Sequence, residues 1–185
     1  MKTLLMSKLL REIVIILALA AVIYGLLYFI IQGVPVTGSS MMPNLAASGQ
    51  RVLVNKTAYW FAEPQRGDII TFHPPEEWPN PRHLPFIKRV IGLPGETVYI
   101  IEGKIYLNES TEPLDEPYIG MPFTYSMALV TIPEDSYFVL GDNRNISEDS
   151  HIYGTISRQS IIGKAWLSYW PFSLWGRVAN YSFPE

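Results

Sequence analysis

Residues 86–93 read Phe-Ile-Lys-Arg-Val-Ile-Gly-Leu. β-Branched and aromatic side chains dominate the run, and Pro94-Gly95 closes it. That combination favours a strand that ends in a turn. A two-residue period places Phe86, Lys88 and Val90 on one face. Either Lys88 snorkels from a sheet edge, or it is a buried amine flanked by apolar neighbours.

Segments of the same kind surround it. Residues 51–56, 68–73, 96–100, 104–108, 136–142 and 161–170 are short and rich in Val, Ile, Tyr, Phe and Trp. Each reads as a strand. Ile101-Glu102-Gly103-Lys104 reads as a hairpin turn, and Glu63-Pro64-Gln65-Arg66-Gly67 as a second turn. Residues 74–85 hold five prolines, so they form an irregular loop. No stretch beyond residue 34 sustains a helical period. The expectation is a mainly β, antiparallel domain over 33–185, with 109–130 as a less regular excursion. Trp60, Phe61, Phe123 and Trp170 are expected in its core; a membrane-facing rim is the competing reading.

The N-terminal part differs. Ile13 to Ile31 is an uncharged run of 19 residues, enough to cross a bilayer of ~30 Å as a helix. Lys2, Lys8 and Arg11 precede it, and the next basic residue is Arg51. Basic residues favour the cytoplasmic side. The expectation is a single-pass protein: 1–11 cytoplasmic, 12–32 a transmembrane anchor, and 33–185 outside, at a bacterial-type plasma or thylakoid membrane. A cleaved signal peptide would have a shorter apolar region and a small-residue site after it. Gln-Gly-Val-Pro-Val follows instead.

Composition narrows the function. The 185 residues are 48% hydrophobic and 17% charged, with a net charge of −3. That balance gives no reason to expect nucleic acid. The chain has no cysteine, so it has no disulfide framework, thiol nucleophile or thiolate metal site. His73, His83 and His151 are scattered without metal-ligand spacing, and no metal or other cofactor is expected.

Thr37-Gly38-Ser39-Ser40-Met41-Met42-Pro43-Asn44 follows the apolar run almost at once. A flexible tether is one reading. Met41, Met42 and Leu45 argue against it, because a solvated tether gains nothing from apolar side chains. Ser40 lies nine residues beyond Ile31, at most ~30 Å of extended chain. A serine nucleophile needs a base. No histidine has an evident catalytic context, which leaves a lysine made neutral by burial. Lys56 and Lys104 read as solvated, Lys88 is the candidate, and Lys164 is a weaker one.

Four segments occur in a fixed order: Ser39–Leu45 (SSMMPNL), Arg66–Phe72 (RGDIITF), Phe86–Glu96 (FIKRVIGLPGE) and Phe138–Ser150 (FVLGDNRNISEDS). Behind an N-terminal anchor this series resembles the type I signal peptidases, membrane-anchored Ser/Lys proteases. The resemblance runs from the anchor to about Trp170. It implies a β domain of signal-peptidase type. It also implies an endopeptidase that removes signal peptides from exported preproteins at the outer membrane surface.

By the same resemblance Ser40 matches the nucleophile and Lys88 the general base. Ser147 matches a serine that hydrogen-bonds the lysine amine. Asp142, Asn143 and Arg144 match the element that closes the site, and Asp149 matches an acidic support, expected to pair with Arg144. Gly38 and Ser39 lie beside the expected oxyanion site, where backbone donors are favoured over the Ser39 hydroxyl. Met41 and Pro43 match positions that shape the site or approach the bilayer. The implied partners are preproteins and the lipid bilayer.

The chain departs from the family pattern at several positions. Gly38 stands where some members carry a hydroxyl. Asn44 replaces Thr, Gln50 replaces Asp, Asn145 and Ile146 replace Asp-Asn, and His151 replaces Arg. A non-catalytic module that binds exported chains is the alternative from another class. Retention of both Ser40 and Lys88 argues against it. A dedicated processing enzyme with the same chemistry is the third reading.

Overall fold

The computed structural model describes residues 2–45 and 49–183, with side chains from residue 8 onward. Helix α1 (Lys2–Ile30) opens the chain. Its part from Lys8 to Ile30 is 23 residues long, apolar, and buried against nothing, so it is long and apolar enough to cross a membrane. The helix stops one residue before the apolar run does. Ile31 and Gln32 already belong to strand β1 (Ile31–Pro35), because they pair with Asn55 and Val54 of strand β2 (Arg51–Asn55).

The remainder is antiparallel β structure. Strands β3 (Ile69–Phe72), β4 (Phe86–Gly92), β5 (Thr97–Ile101), β6 (Lys104–Leu107), β7 (Met127–Thr131) and β8 (Ser136–Leu140) follow in turn. After them come a single helical turn α2 (Ser150–Tyr153) and strands β9 (Ile156–Ser157), β10 (Ile161–Trp170) and β11 (Gly176–Arg177). The large sheet has the order β1-β2-β10-β3-β4-β8-β9, with β11 added to β10. A small sheet has the order β6-β5-β7.

The expected strands form within a residue or two of their predicted ends. The β5–β6 hairpin turns on Glu102 and Gly103, both at positive φ (48° and 77°). Two left-handed central residues match the twist of flanking strands. The Pro-rich loop is irregular, yet it delivers Trp78 into the interior, against Phe72, Phe86 and Tyr153. Residues 109–126 are irregular, and β7 then forms in a stretch expected to continue so. As an edge strand it is largely exposed and lacks a clean alternation.

Three apolar clusters fill the interior. One joins Val34, Met41 and Leu45 to Val52, Val54 and Ile69. The chain after the anchor is therefore packed into the core rather than tethered. Of the four aromatic residues expected in the core, Phe123 alone is buried. Trp60, Phe61 and Trp170 are exposed, Phe61 almost fully at 98%. Trp60 and Phe61 occupy the turn after β2, and no strand carries them inward.

Candidate active site

β4 is buried on both faces over nearly its whole length. Its β3-side edge is paired from Phe86 to Arg89, whereas pairing to β8 begins only at Arg89. Phe86, Ile87 and Lys88 therefore present one open backbone edge. β1 is the outermost strand of its sheet and leads, through Val36 and Thr37, to Ser40. Between these two segments lies an open cavity of about 290 Å³. Val36 to Met41, Phe86 to Lys88, Ile146, Glu148 and Tyr153 line it. Ser40 and Lys88 thus face the same space.

The Lys88 side chain is the buried amine, with the residue only 4% exposed. Its Nζ donates to Ser147 Oγ at 2.7 Å. Among the described residues no carboxylate is within ion-pairing distance of it. Burial lowers its pKa from the ordinary 10.5, against the smaller opposing fields of Asp149, Glu148 and Asp142. Desolvation penalises the ammonium more than those charges stabilise it.

The turn that carries Ser40 is held from below. Asn143 N–H donates to the Ser40 carbonyl at 2.9 Å, and Asn143 Nδ2 to the Ser39 carbonyl at 3.3 Å. The Ser40 N–H has no acceptor among the described residues. A Cβ on Gly38 would meet nothing within 4 Å, so that backbone faces open space. Met41 is buried, while Pro43 packs on Gly120, where an added Cβ would lie 2.9 Å from the proline Cδ.

Asp142 is fixed by Arg89, a residue that the sequence reading passed over. Arg89 Nε and Nη2 reach the two Asp142 oxygens at 2.7 Å each, and both side chains are fully buried. Arg89 also stacks on Tyr118, 4.0 Å from the ring centre. The only local signal was a second charge beside Lys88, on the opposite face of a strand. Arg144 does not pair with Asp149, contrary to expectation. Both its terminal nitrogens go to Glu116, from the irregular stretch, and its Nε to the Gly141 carbonyl. Asp149 instead accepts from Gly141 N–H at 2.8 Å and meets His151 Nδ1 at 2.7 Å. It also caps α2 through His151 N–H.

The departures from the family pattern find local partners. Asn44 Nδ2 bridges the Tyr118 carbonyl and Asp142 Oδ2, both at 2.8 Å. Gln50 Nε2 donates to Ser168 Oγ at 2.8 Å. Asn145 Nδ2 reaches the Pro122 carbonyl, and His151 stacks on Tyr125. Lys164, the alternative base, is ion-paired with Asp68 and does not line the cavity.

Comparison with known proteins gives the family of the chain. The family model described as "Signal peptidase, peptidase S26" matches residues 6–170. A "Signal peptidase I" of Leptolyngbya laminosa is 44% identical over 157 residues, covering 83% of this chain and 76% of that protein. "Probable signal peptidase I-1" of Synechocystis sp. is 41% identical over 177 residues, covering 94% and 89% respectively. "Thylakoidal processing peptidase 1, chloroplastic" of Arabidopsis thaliana is 34% identical over 142 residues, covering 74% and 41%. With nearly its whole length matched, the chain belongs to the signal peptidase family, peptidase S26.

Proposed function

We propose that this chain cuts signal peptides from exported preproteins, with Ser40 as nucleophile and Lys88 as the base that activates it. The observation that carries the reading is the Lys88 amine. It is buried without a carboxylate partner and lines the same cavity as Ser40. A lysine kept for stability alone would gain from an ion pair; one kept as a base must lose its proton.

The steps follow. An extended substrate lies between the open edges of β1 and β4 and pairs with backbone there. Neutral Lys88 takes the Ser40 Oγ proton, and Oγ attacks the scissile carbonyl carbon. The Ser40 N–H holds the oxyanion; losing one such donor typically costs on the order of 10²–10³ in rate. The Lys88 ammonium then protonates the leaving amine, and the mature protein departs. Lys88 next takes a proton from water, whose oxygen attacks the acyl carbon. The ester bond to Ser40 breaks, Oγ regains the proton from Lys88, and the signal peptide leaves as a carboxylate, its proton passing to solvent. Ser147 accepts one amine hydrogen and aims the lone pair at Ser40.

The chain is a membrane-anchored protein. Its orientation follows from Lys2, Lys8 and Arg11, which precede the span and keep the N-terminus cytoplasmic, with the β domain across the membrane. Arg89–Asp142, Arg144–Glu116 and the Asn143 clamp act as support.

The test is cleavage of a preprotein with an Ala-x-Ala site by the detergent-solubilised full chain. Ser40→Ala and Lys88→Met should each abolish cleavage while leaving the fold intact. Cleavage that survives in the folded Lys88→Met protein would remove Lys88 from the role of base.

A further inference from the structure

The acidic residues around the cavity are committed to partners, with one exception. Asp142 is held by Arg89, Glu116 by Arg144, and Asp149 by Gly141 N–H and His151. Glu148 is exposed, lines the same cavity as Ser40 and Lys88, and meets no cation among the described residues. Among the described residues its single hydrogen bond comes from the Tyr153 hydroxyl, which donates to Oε2 at 3.2 Å. Tyr153 lines the cavity too. Glu148 follows Ser147, the residue that holds Lys88, and its charge acts on the Lys88 amine.

We propose that Glu148 is a specificity-determining residue that selects substrates with a basic side chain close to the scissile bond. The proposal rests on the reading of Ser40 and Lys88 as the reacting pair. Tyr153 occupies one carboxylate oxygen and leaves the other free to accept from a lysine or arginine of the substrate. The rest of the named cavity lining is apolar or uncharged apart from Lys88 itself, so Glu148 is the feature there that can discriminate by charge. An acidic substrate residue at the same place is repelled. The pair forms at a half-open site, so its effect is of the size of a surface ion pair, about fivefold at most. It fades at high salt.

The experiment uses the full chain in detergent with a set of Ala-x-Ala preproteins. Lys, Gln or Glu is placed in turn at each position, other than the two alanines of the site, within about five residues of the cut, the reach of an extended segment along the cavity. At one position the wild type should cleave Lys over Gln about three- to fivefold better in kcat/KM, and Glu worse than Gln. In Glu148→Gln, which keeps a partner for Tyr153, the ratio should fall to about 1 at that position and stay unchanged elsewhere. The same variant removes a negative field from Lys88, so the acid limb of its pH–rate profile should move to lower pH.

If no position discriminates, or Glu148→Gln keeps the discrimination, the proposal is overturned. A shifted acid limb without charge preference leaves the Ser40/Lys88 reading standing and discards the specificity role alone. Cleavage that persists in Ser40→Ala would instead overturn the reading on which the proposal rests.

Discussion

Gly141→Ala isolates the packing that joins the nucleophile turn to the lysine support. A Cβ on residue 141 would lie 2.2 Å from Ser147 Oγ, 2.7 Å from Ser147 Cβ and 2.4 Å from the Ser40 carbonyl oxygen. Ordinary contact begins at 3.4 Å. Each neighbour therefore has to retreat by about 1 Å in a close-packed interior. A rotamer change of Ser147 does not help, because its own Cβ is in the way. The retreat disturbs the Lys88–Ser147 bond, 2.7 Å long in the wild type, because Ser147 Oγ is the atom that must move. It also displaces the Ser40 carbonyl, which accepts from Asn143 N–H. Misplacement of about 1 Å costs on the order of 10² in rate. The expected result is a fall of that size in kcat/KM for an Ala-x-Ala preprotein, mostly in kcat. Overpacking should also lower stability by about 1–3 kcal/mol in urea unfolding. A folded variant within about threefold of wild type, with its pH profile unchanged, would refute the reasoning. The two serines would then not depend on a bare backbone at 141.

Lys88→Met should remove a pH dependence of stability. The folded state holds Lys88 below the 10.5 that applies when it is unfolded, so between those two values the unfolded chain binds more protons. Wild-type stability therefore rises with pH across that window, and the slope measured in urea should flatten in the variant. Activity should rise with pH through the same lowered pKa, because the neutral amine is the active form; an acid limb near 10.5 would contradict burial as its cause. Arg89→Met strands the buried Asp142 carboxylate and should cost about 3–5 kcal/mol. Adding Asp142→Leu should recover a large part of that loss, and no recovery would show that the pair is not the origin. Asn44→Ala breaks the bridge between Tyr118 and Asp142 and should cost about 1–3 kcal/mol, read from thermal or urea unfolding.

Much of the fold was legible because each strand carries its own signal. Ile161–Trp170 and Phe86–Gly92 announce themselves through β-branched and aromatic content alone. β1 was not legible, because Ile31 ends an apolar run that reads as helix, and it turns into strand with Gln32 only by pairing with β2, more than twenty residues later. β7 was hidden for another reason: an exposed edge strand has no buried face to imprint on its sequence. Phe61 shows the reverse failure, since a large aromatic ring on a turn stays outside despite its composition.

The sequence by itself determined the class of fold, the apolar span, and the pair of residues proposed to react. The first two live in short segments, where period, charge and residue type suffice; the pair came from the ordered motifs that resemble the signal peptidases, since period alone left Lys88 open between a sheet edge and the interior. Only the tertiary structure decided which charge answers which. Arg89 meets Asp142 across 53 positions, Arg144 turns to Glu116 rather than Asp149, and Lys164 is taken by Asp68. Buried charges must find partners, and those partners are set by which strands lie side by side rather than by distance along the chain. The same holds for Lys88. Its neighbours in sequence suggest an apolar face, but its low basicity depends on sheet packing that buries the amine, against the smaller opposing fields of Asp149, Glu148 and Asp142.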